Sequence, residues 1–443
     1  MPRADKKLIW LILAAVIVRV VFSLLFKPLI TPDSSSYLEM ARQISSNDFS
    51  RYAGFRTPVY PLVLLLFQCN IQAVVFFQMI LGLVISLIIY KIFMRIQNRE
   101  WLGFAAGLSY AANPSQVLFE RAVLTETIAA LLVAGSFLLF ITAVDKRETI
   151  LTCIFLGILS SLAALAKPLF QFLPLLFSIL LAFYFFRADR RISAAVSRFV
   201  PVIIPAILLL GSWSWFNYSK AGYFGISTQM GMGLMNHTGA FIEDAPAEYG
   251  MIKEIFIKYR QKRIKETGQS YGAVHLAKEE LMEKTGQNYV ELNRTLCRLS
   301  FSLIKSNPGA YLKSAAQAFI RFWRPTWYTD QGGIRKILKS GDKSMVLAVG
   351  SFALVHALCM LLFWVFPLVY AVYPGIRKHF TFNFQTVSIY LVVFSTACVQ
   401  AVLEYSENAR YKIPVEPLIV ALAVTFAVAF CRFLTRSAGK HSE

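Results

Sequence analysis

The feature that most constrains this chain is the recurrence of apolar runs of about 17 to 25 residues, each long enough to cross a bilayer core of roughly 30 Å as a helix. Lipid offers a backbone no hydrogen-bond partner, so such runs must satisfy their own amides as helices. Ten spans are expected, at 8–26, 71–93, 101–112, 126–144, 150–166, 169–186, 199–216, 346–372, 383–403 and 415–434. With 56% hydrophobic and 16% charged residues, a soluble globular chain is excluded. The expected fold class is an all-α polytopic membrane protein with about 10 transmembrane helices. The third span is short, and "TPVYPLVLLLF" at 57–67 reads as an interfacial or re-entrant piece.

Basic residues orient the spans. Lys6/Lys7, Lys91/Arg95/Arg99, Lys146/Arg147, Arg187/Arg190/Arg191/Arg198, Arg377/Lys378 and Arg432/Arg436 share one side when odd-numbered spans run outward. An excess of Lys and Arg marks cytoplasmic loops, so both termini are expected in the cytoplasm of a multi-pass plasma (inner) membrane protein. The net charge of +20 follows from this bias and from contact with anionic membrane lipids, and calls for no nucleic acid. The opening "MPRADKKLIWLILAAVIVRVVFSLLF" has a basic head but a long apolar stretch and no small-residue cleavage site, so it reads as a retained helix. The six cysteines form no C-x-x-C and four lie in apolar runs, which suggests neither a disulfide framework nor a zinc site.

The opposite face then collects the loops 27–70, 113–125, 217–345 and 404–414. This divides the chain into an N-terminal transmembrane module with catalytic outer loops (1–216), a small, mainly helical extracytoplasmic domain (217–345) and a C-terminal transmembrane module (346–443). In "NPGAYLKSAAQAFIRFW", Asn307 can cap a helix and Pro308 suits its first turn. The following "RFWRPTWY" brings Trp323, Trp327 and Tyr328 to the headgroup level. No long internal repeat is visible, which counts against an inverted-repeat transporter.

Charges gather on that outer face. "TPDSSSYLEMARQ" at 31–43 sets Asp33 behind a proline, and the plain reading is a helix start capped by Asp33 or a serine, with Ser36 and Glu39 as a capping box. "GFRTPVYP" adds Arg56, "FERAVLTET" adds Glu120, Arg121 and Glu126, "ALAKPLF" adds Lys167, and "EYSENARYKIP" adds Glu404, Glu407 and Arg410. Charges at membrane depth are costly unless paired or solvated, so each is a site candidate, with a snorkelling anchor as the plain alternative for Arg121, Lys167 and Arg410. A carboxylate beside an acceptor hydroxyl suggests a general base, and Arg or Lys at the interface suggests a clamp on a lipid phosphate.

The order of these motifs resembles GT-C superfamily glycosyltransferases of the protein O-mannosyltransferase and aminoarabinose-transferase type. It rests on "PDSSSYLEMAR", "FRTPVYPLVL", "LTET", "GILSSLAALAKP", "SWFNYSKAGYFGIST" and "ARYKIPVEP", spread from residue 8 to about 430. The resemblance implies transfer of a hexosyl or pentosyl group from a polyprenyl-phosphate-linked sugar donor to an extracytoplasmic acceptor (lipid, glycan or protein), with inversion at the anomeric centre. It makes Asp33 the catalytic base and Glu126, or failing it Glu120, the second acidic residue. Arg56, Lys167 and Arg410 would hold the donor phosphate, with Tyr60, Arg121 and Tyr411 as further substrate-binding residues. In the superfamily the first-loop acid is catalytic or holds a metal. Here Asp33 is followed by Ser34 rather than a second acid, so no cofactor is expected and a divalent cation is the reading less favoured. Lys167 stands where relatives often have Arg, and Asn408 where they have an acid.

Other signals carry little. "GMGLMN" at 231–236 lacks the third glycine of a nucleotide loop, no D-x-D or H-E-x-x-H occurs, and His237 reads as a structural or solvated histidine. "NHT" at 236–238 and "NRT" at 293–295 match a glycosylation sequon that arises often by chance. The alternatives are a transporter or flippase of lipid-linked sugars, whose charges would line a path through the midplane, and a non-catalytic subunit of a surface-glycan assembly complex.

Overall fold

A computed structural model describes residues 6–146, 150–326 and 343–438. Trp327, Tyr328 and Arg147, singled out in the sequence, lie outside the described residues. Among the described residues all regular structure is helical, and the one strand-like pairing is an isolated parallel bridge between Leu29 and Ala122.

Helix α1 (Lys6–Leu25) crosses first, followed by α2 (Pro32–Ser46) and the short α3 (Val59–Leu66) in the first loop. Then come α4 (Ile71–Gln97), α5 (Glu100–Ala111), α6 (Pro114–Glu120), α7 (Glu126–Lys146), α8 (Ile150–Ala166), α9 (Leu173–Asp189) and α10 (Ile192–Ala221). A helical module follows: α11 (Met230–Thr238), α12 (Gly250–Thr267), α13 (Ala273–Thr285), α14 (Tyr289–Ser306) and α15 (Pro308–Phe322). The chain closes with α16 (Lys343–Val372), α17 (Phe384–Leu403) and α18 (Glu416–Ala438).

Eight helices among the described residues are long and apolar enough to cross a membrane, against the ten expected. The two that fall short have local causes. Helix α5 has 12 residues, about 18 Å at 1.5 Å per residue. Asn113 and Pro114 end it, and α6, buried from Ser115 to Glu120, carries the chain onward. Helix α8 has 17 residues and stops because Pro168 forces Lys167 into an extended backbone (φ −144°, ψ 109°).

The ends of the helices sort as the basic clusters require. Lys7 pairs with Glu100 at 2.8 Å, Arg99 bonds the Lys378 carbonyl at 2.7 Å, and Gln385 bonds Asp145 at 2.9 Å. Arg95 reaches Thr142, the Phe384 ring meets Phe183 and Tyr184, and Arg432 lies over Trp101. These contacts gather the basic ends at one end of the bundle, leaving the loops that carry Asp33, Glu126, Lys167 and Arg410 at the other.

The helical module has its own core, in which Met235, Phe256, Leu281, Leu296 and Leu299 are buried. Asn307 begins α15 as expected, but its side chain makes no cap and bonds Ser306 instead. Asn236 and Asn293, the two sequon asparagines, are 6% and 3% exposed, so neither is available for modification.

Candidate active site

The site begins with the cap of α2. Thr31 is the N-cap: its hydroxyl accepts from the Ser34 amide at 3.3 Å, and the Ser34 hydroxyl accepts from the Thr31 amide at 2.9 Å. This corrects the expected box of Ser36 and Glu39. Glu39 pairs with Arg42 along the exposed face, and Ser36 donates to the Asp33 carbonyl. With Thr31 and Ser34 closing the helix end, the Asp33 carboxylate is not needed as a cap. It is left for ionic partners.

Loop pairing brings those partners near. The Leu29 amide donates to the Arg121 carbonyl at 2.9 Å, the Val123 amide to the Leu29 carbonyl at 3.0 Å, and the Ser34 hydroxyl to the Val123 carbonyl at 2.9 Å. The first loop is thereby fastened to the segment that opens α7 at Glu126.

Six of the charged residues singled out in the sequence meet here. Asp33 Oδ1 accepts from Arg56 at 2.6 Å and Oδ2 from Arg410 Nη1 at 2.7 Å. Arg410 Nε donates to Glu126 Oε1 at 2.6 Å, and Lys167 Nζ to the same oxygen at 2.8 Å. Glu407 adds a longer contact to Arg410, 3.3 Å. Glu126 is fully buried and its Oε2 has no hydrogen-bond partner among the described residues, whereas the Asp33 side chain is 37% exposed. A buried carboxylate held by two cations thus lies behind an accessible one held by two.

Burial alone would raise the Asp33 carboxyl, but the charges and hydrogen bonds of Arg56 and Arg410 outweigh it and hold the group well below the usual carboxylate range. Burial lowers the Lys167 ammonium despite the opposing charge of Glu126. Arg56 is pushed up, because Tyr37 and Asp33 together overcome its desolvation.

The supports are local. Arg56 donates to Ser36 Oγ at 2.8 Å and Tyr37 OH at 3.1 Å, and lies 4.3 Å from the Tyr37 ring centroid. Tyr60 is buried, packs edge-on against Tyr37 and donates to Gln78 at 2.8 Å, so it backs the site rather than facing it. Lys167 lies 4.9 Å from the Tyr411 ring centroid. The turn carrying Arg410 is clamped by Asn408, which donates to Gln400 and the Glu404 carbonyl. Lys412 anchors its far side on the Arg324 carbonyl and His356.

Two of the expected residues lie elsewhere. Glu120 is fully buried against Arg19 at 2.5 Å and Tyr110 at 3.1 Å, and burial pushes its carboxyl up to about 7. Arg121 bonds Ser23 at 2.9 Å and the Met79 sulfur at 3.6 Å. Both are spent on holding α1 against α4 and α6. In turn, Tyr37, and Ser36 in a role other than the cap expected of it, join the site without having been expected there. Their spacing from Asp33 on one helix, three and four residues on, was the available signal.

A guanidinium stands between the two carboxylates that a bridging divalent cation would use, because Arg410 bonds Asp33 and Glu126 at once. Among the described residues no three His, Cys, Asp or Glu side chains converge as a metal site.

Residues 59–215 match the family described as dolichyl-phosphate-mannose-protein mannosyltransferase. No curated protein matches the chain. Among solved structures, the fold is similar to that of the archaeal oligosaccharyltransferase AglB from Archaeoglobus fulgidus, determined with an inhibitory peptide and a dolichol-phosphate, with a TM-score of 0.51 at 13% identity. That match covers 99% of this chain and 51% of AglB, so the chain spans about half the length of that protein. Together the two matches support the resemblance to GT-C superfamily glycosyltransferases.

Proposed function

We propose that this polytopic chain is an integral-membrane glycosyltransferase that moves a sugar from a polyprenyl-phosphate donor to a hydroxyl-bearing acceptor on the extracytoplasmic face, with inversion. One observation carries the reading: Arg410 bonds Asp33 and Glu126 simultaneously while Arg56 and Lys167 complete the cluster. Three cations around an accessible carboxylate, at the loop end of a membrane bundle, suit a lipid phosphate and an incoming hydroxyl together.

In the step proposed, the acceptor oxygen attacks the anomeric carbon as the bond from that carbon to the phosphate oxygen breaks. The acceptor proton passes to the Asp33 carboxylate, and the electron pair of the broken bond leaves on polyprenyl phosphate. Arg56, Lys167 and Arg410 stabilise that leaving charge. Asp33 is a weak base at rest, yet a weak base suffices. In an oxocarbenium-like transition state the attacking hydroxyl grows acidic as its new bond forms. The incoming phosphate also competes for Arg56 and Arg410, which raises the basicity of Asp33 when the donor is bound. The unpartnered Glu126 Oε2 is a ready acceptor for a hydroxyl of the donor sugar. No metal step is needed.

The matches to a mannosyltransferase family and to an oligosaccharyltransferase determined with dolichol-phosphate support the donor class. The gathering of basic ends opposite the site supports cytoplasmic termini and an extracytoplasmic site in the plasma (inner) membrane. The domain limits read from the sequence, 1–216, 217–345 and 346–443, go with this topology. The test is to offer the purified protein a panel of polyprenyl-phosphate sugars and measure released polyprenyl phosphate. Release with at least one donor, abolished in Asp33→Asn, is expected. No release from any donor in the presence of cell-envelope acceptors overturns the reading.

A further inference from the structure

The helical module brings a second set of charges toward the site that the step above leaves unused. Arg321, at the end of α15, stacks 4.4 Å from the ring centroid of Tyr405 and 5.4 Å from that of Tyr271. Those two rings meet edge to face at 6.0 Å. Arg263 of α12 reaches the residue after Tyr271, where a Cβ on Gly272 would lie 3.8 Å from its guanidinium. Its Nε is buried and has no hydrogen-bond partner among the described residues. Neither arginine forms an ion pair with a carboxylate among the described residues, while the arginines of the acid cluster all do.

Position ties this set to the reaction. Tyr405 stands on the loop that carries Glu407 and Arg410, and Tyr271 feels the charges of Arg321, Glu407 and Arg263. His275, in the first turn of α13, is exposed and within electrostatic reach of both Asp33 and Arg56. Tyr405 thus links Arg321 to the turn whose Arg410 bonds Asp33 and Glu407, which puts this set beside the acid cluster on the side of the helical module. A guanidinium held flat by aromatic faces and lacking a carboxylate, as Arg321 is, with the second carboxylate-free guanidinium of Arg263 close by, is suited to bind phosphate or carboxylate in two-pronged fashion. The tyrosine rings beside them give a flat apolar surface for a sugar ring.

We infer that Arg263, Tyr271, Arg321 and Tyr405 form the acceptor's seat, and that the acceptor is a saccharide carrying an anionic group, phosphate or carboxylate, close to the hydroxyl that receives the sugar. The identity of the occupant as acceptor rests on the transferase reading above; the anion seat itself does not. The test is saturation-transfer NMR on the full chain in phosphatidylcholine nanodiscs, with glucose 1-phosphate, glucuronate and glucose as probes. One or both anions bind and glucose does not; which anion binds tells phosphate from carboxylate. Arg263→Gln and Arg321→Gln each weaken that binding at least fivefold, and Arg321→Lys restores part of it. Glucose binding as well as the anions, or wild-type anion binding in both Gln variants, overturns the inference. So does anion binding that is lost in Arg56→Gln and Arg410→Gln but kept in Arg263→Gln and Arg321→Gln, because the anion then occupies the donor side. Polyprenyl phosphate release is read separately. If no donor supports it while anion binding still depends on Arg263 and Arg321, the transferase reading falls and the anion seat stands.

Discussion

Arg410 donates to Asp33 at 2.7 Å although 377 positions separate the two residues. Through its Nε the same guanidinium holds Glu126, so one side chain joins the first loop, the start of α7 and the segment before the last helix. The contact makes the site a closing point of the bundle as well as a place for chemistry. Changes there should be read for folding and turnover separately.

Asp33→Asn separates the two. Thr31 and Ser34 make the cap, so the Asn variant keeps the helix start and inserts normally. Its turnover falls by about 10²-fold or more while donor binding stays near normal, as expected for loss of a general base. Thr31→Ala with Ser34→Ala does the reverse, costing about 1 kcal/mol for the lost cap and only indirectly slowing turnover. Thermal stability and single-turnover rates on both variants check this. Near-wild-type turnover in a well-folded Asn variant would leave Asp33 as an ion-pair partner alone.

Arg410→Gln leaves the buried Glu126 with Lys167 as its remaining cation and costs on the order of 3–5 kcal/mol. Adding Glu126→Gln removes that carboxylate but takes from the buried Lys167 its ion-pair partner, so the double variant regains stability relative to Arg410→Gln only as Lys167 loses its proton, and it stays inactive. Melting temperatures of Arg410→Gln, Glu126→Gln and the double variant against the wild type decide the point, and strictly additive losses would show that the pair is not coupled.

Glu404 supplies a pH dependence of known sign. Burial raises its carboxyl to about 7 against an ordinary 4.5, even with Asn236 donating to it at 2.7 Å. A group whose pKa is raised on folding stabilises the protein fully below its unfolded pKa and loses that contribution as the pH climbs through the folded value. Stability should therefore decline between about pH 4.5 and 7, and Glu404→Gln, which keeps an acceptor for Asn236, should flatten that decline. Thermal melts at pH 5 and pH 8 measure it as a smaller difference in the variant.

Topology is testable without any substrate. A reporter that is active only outside the cytoplasm, fused after residue 280 in α13, is expected to be active, and one fused at the C-terminus inactive. The opposite pattern would move the site to the cytoplasmic face and end the proposed sidedness.

The sequence by itself determined the membrane class, eight of the ten expected spans and the grouping of the charged loops at one end of the bundle. These follow from apolar run length and from the Lys and Arg bias, which are properties of short segments. It also offered Asp33, Arg56, Glu126, Lys167 and Arg410, because a charge at membrane depth is conspicuous wherever it sits. Only the tertiary structure decided which of those charges meet. Glu120 and Glu126 look alike in "FERAVLTET", yet the turn between them sends one to Arg19 and the other to Arg410. The cap of α2 shifted from Ser36 and Glu39 to Thr31 and Ser34 because the Ser34 hydroxyl also reaches the Val123 carbonyl, a partner 89 residues away. The approach of Tyr271, His275 and Arg321 from the helical module left no local trace, since no periodicity or spacing records a contact made between distant segments.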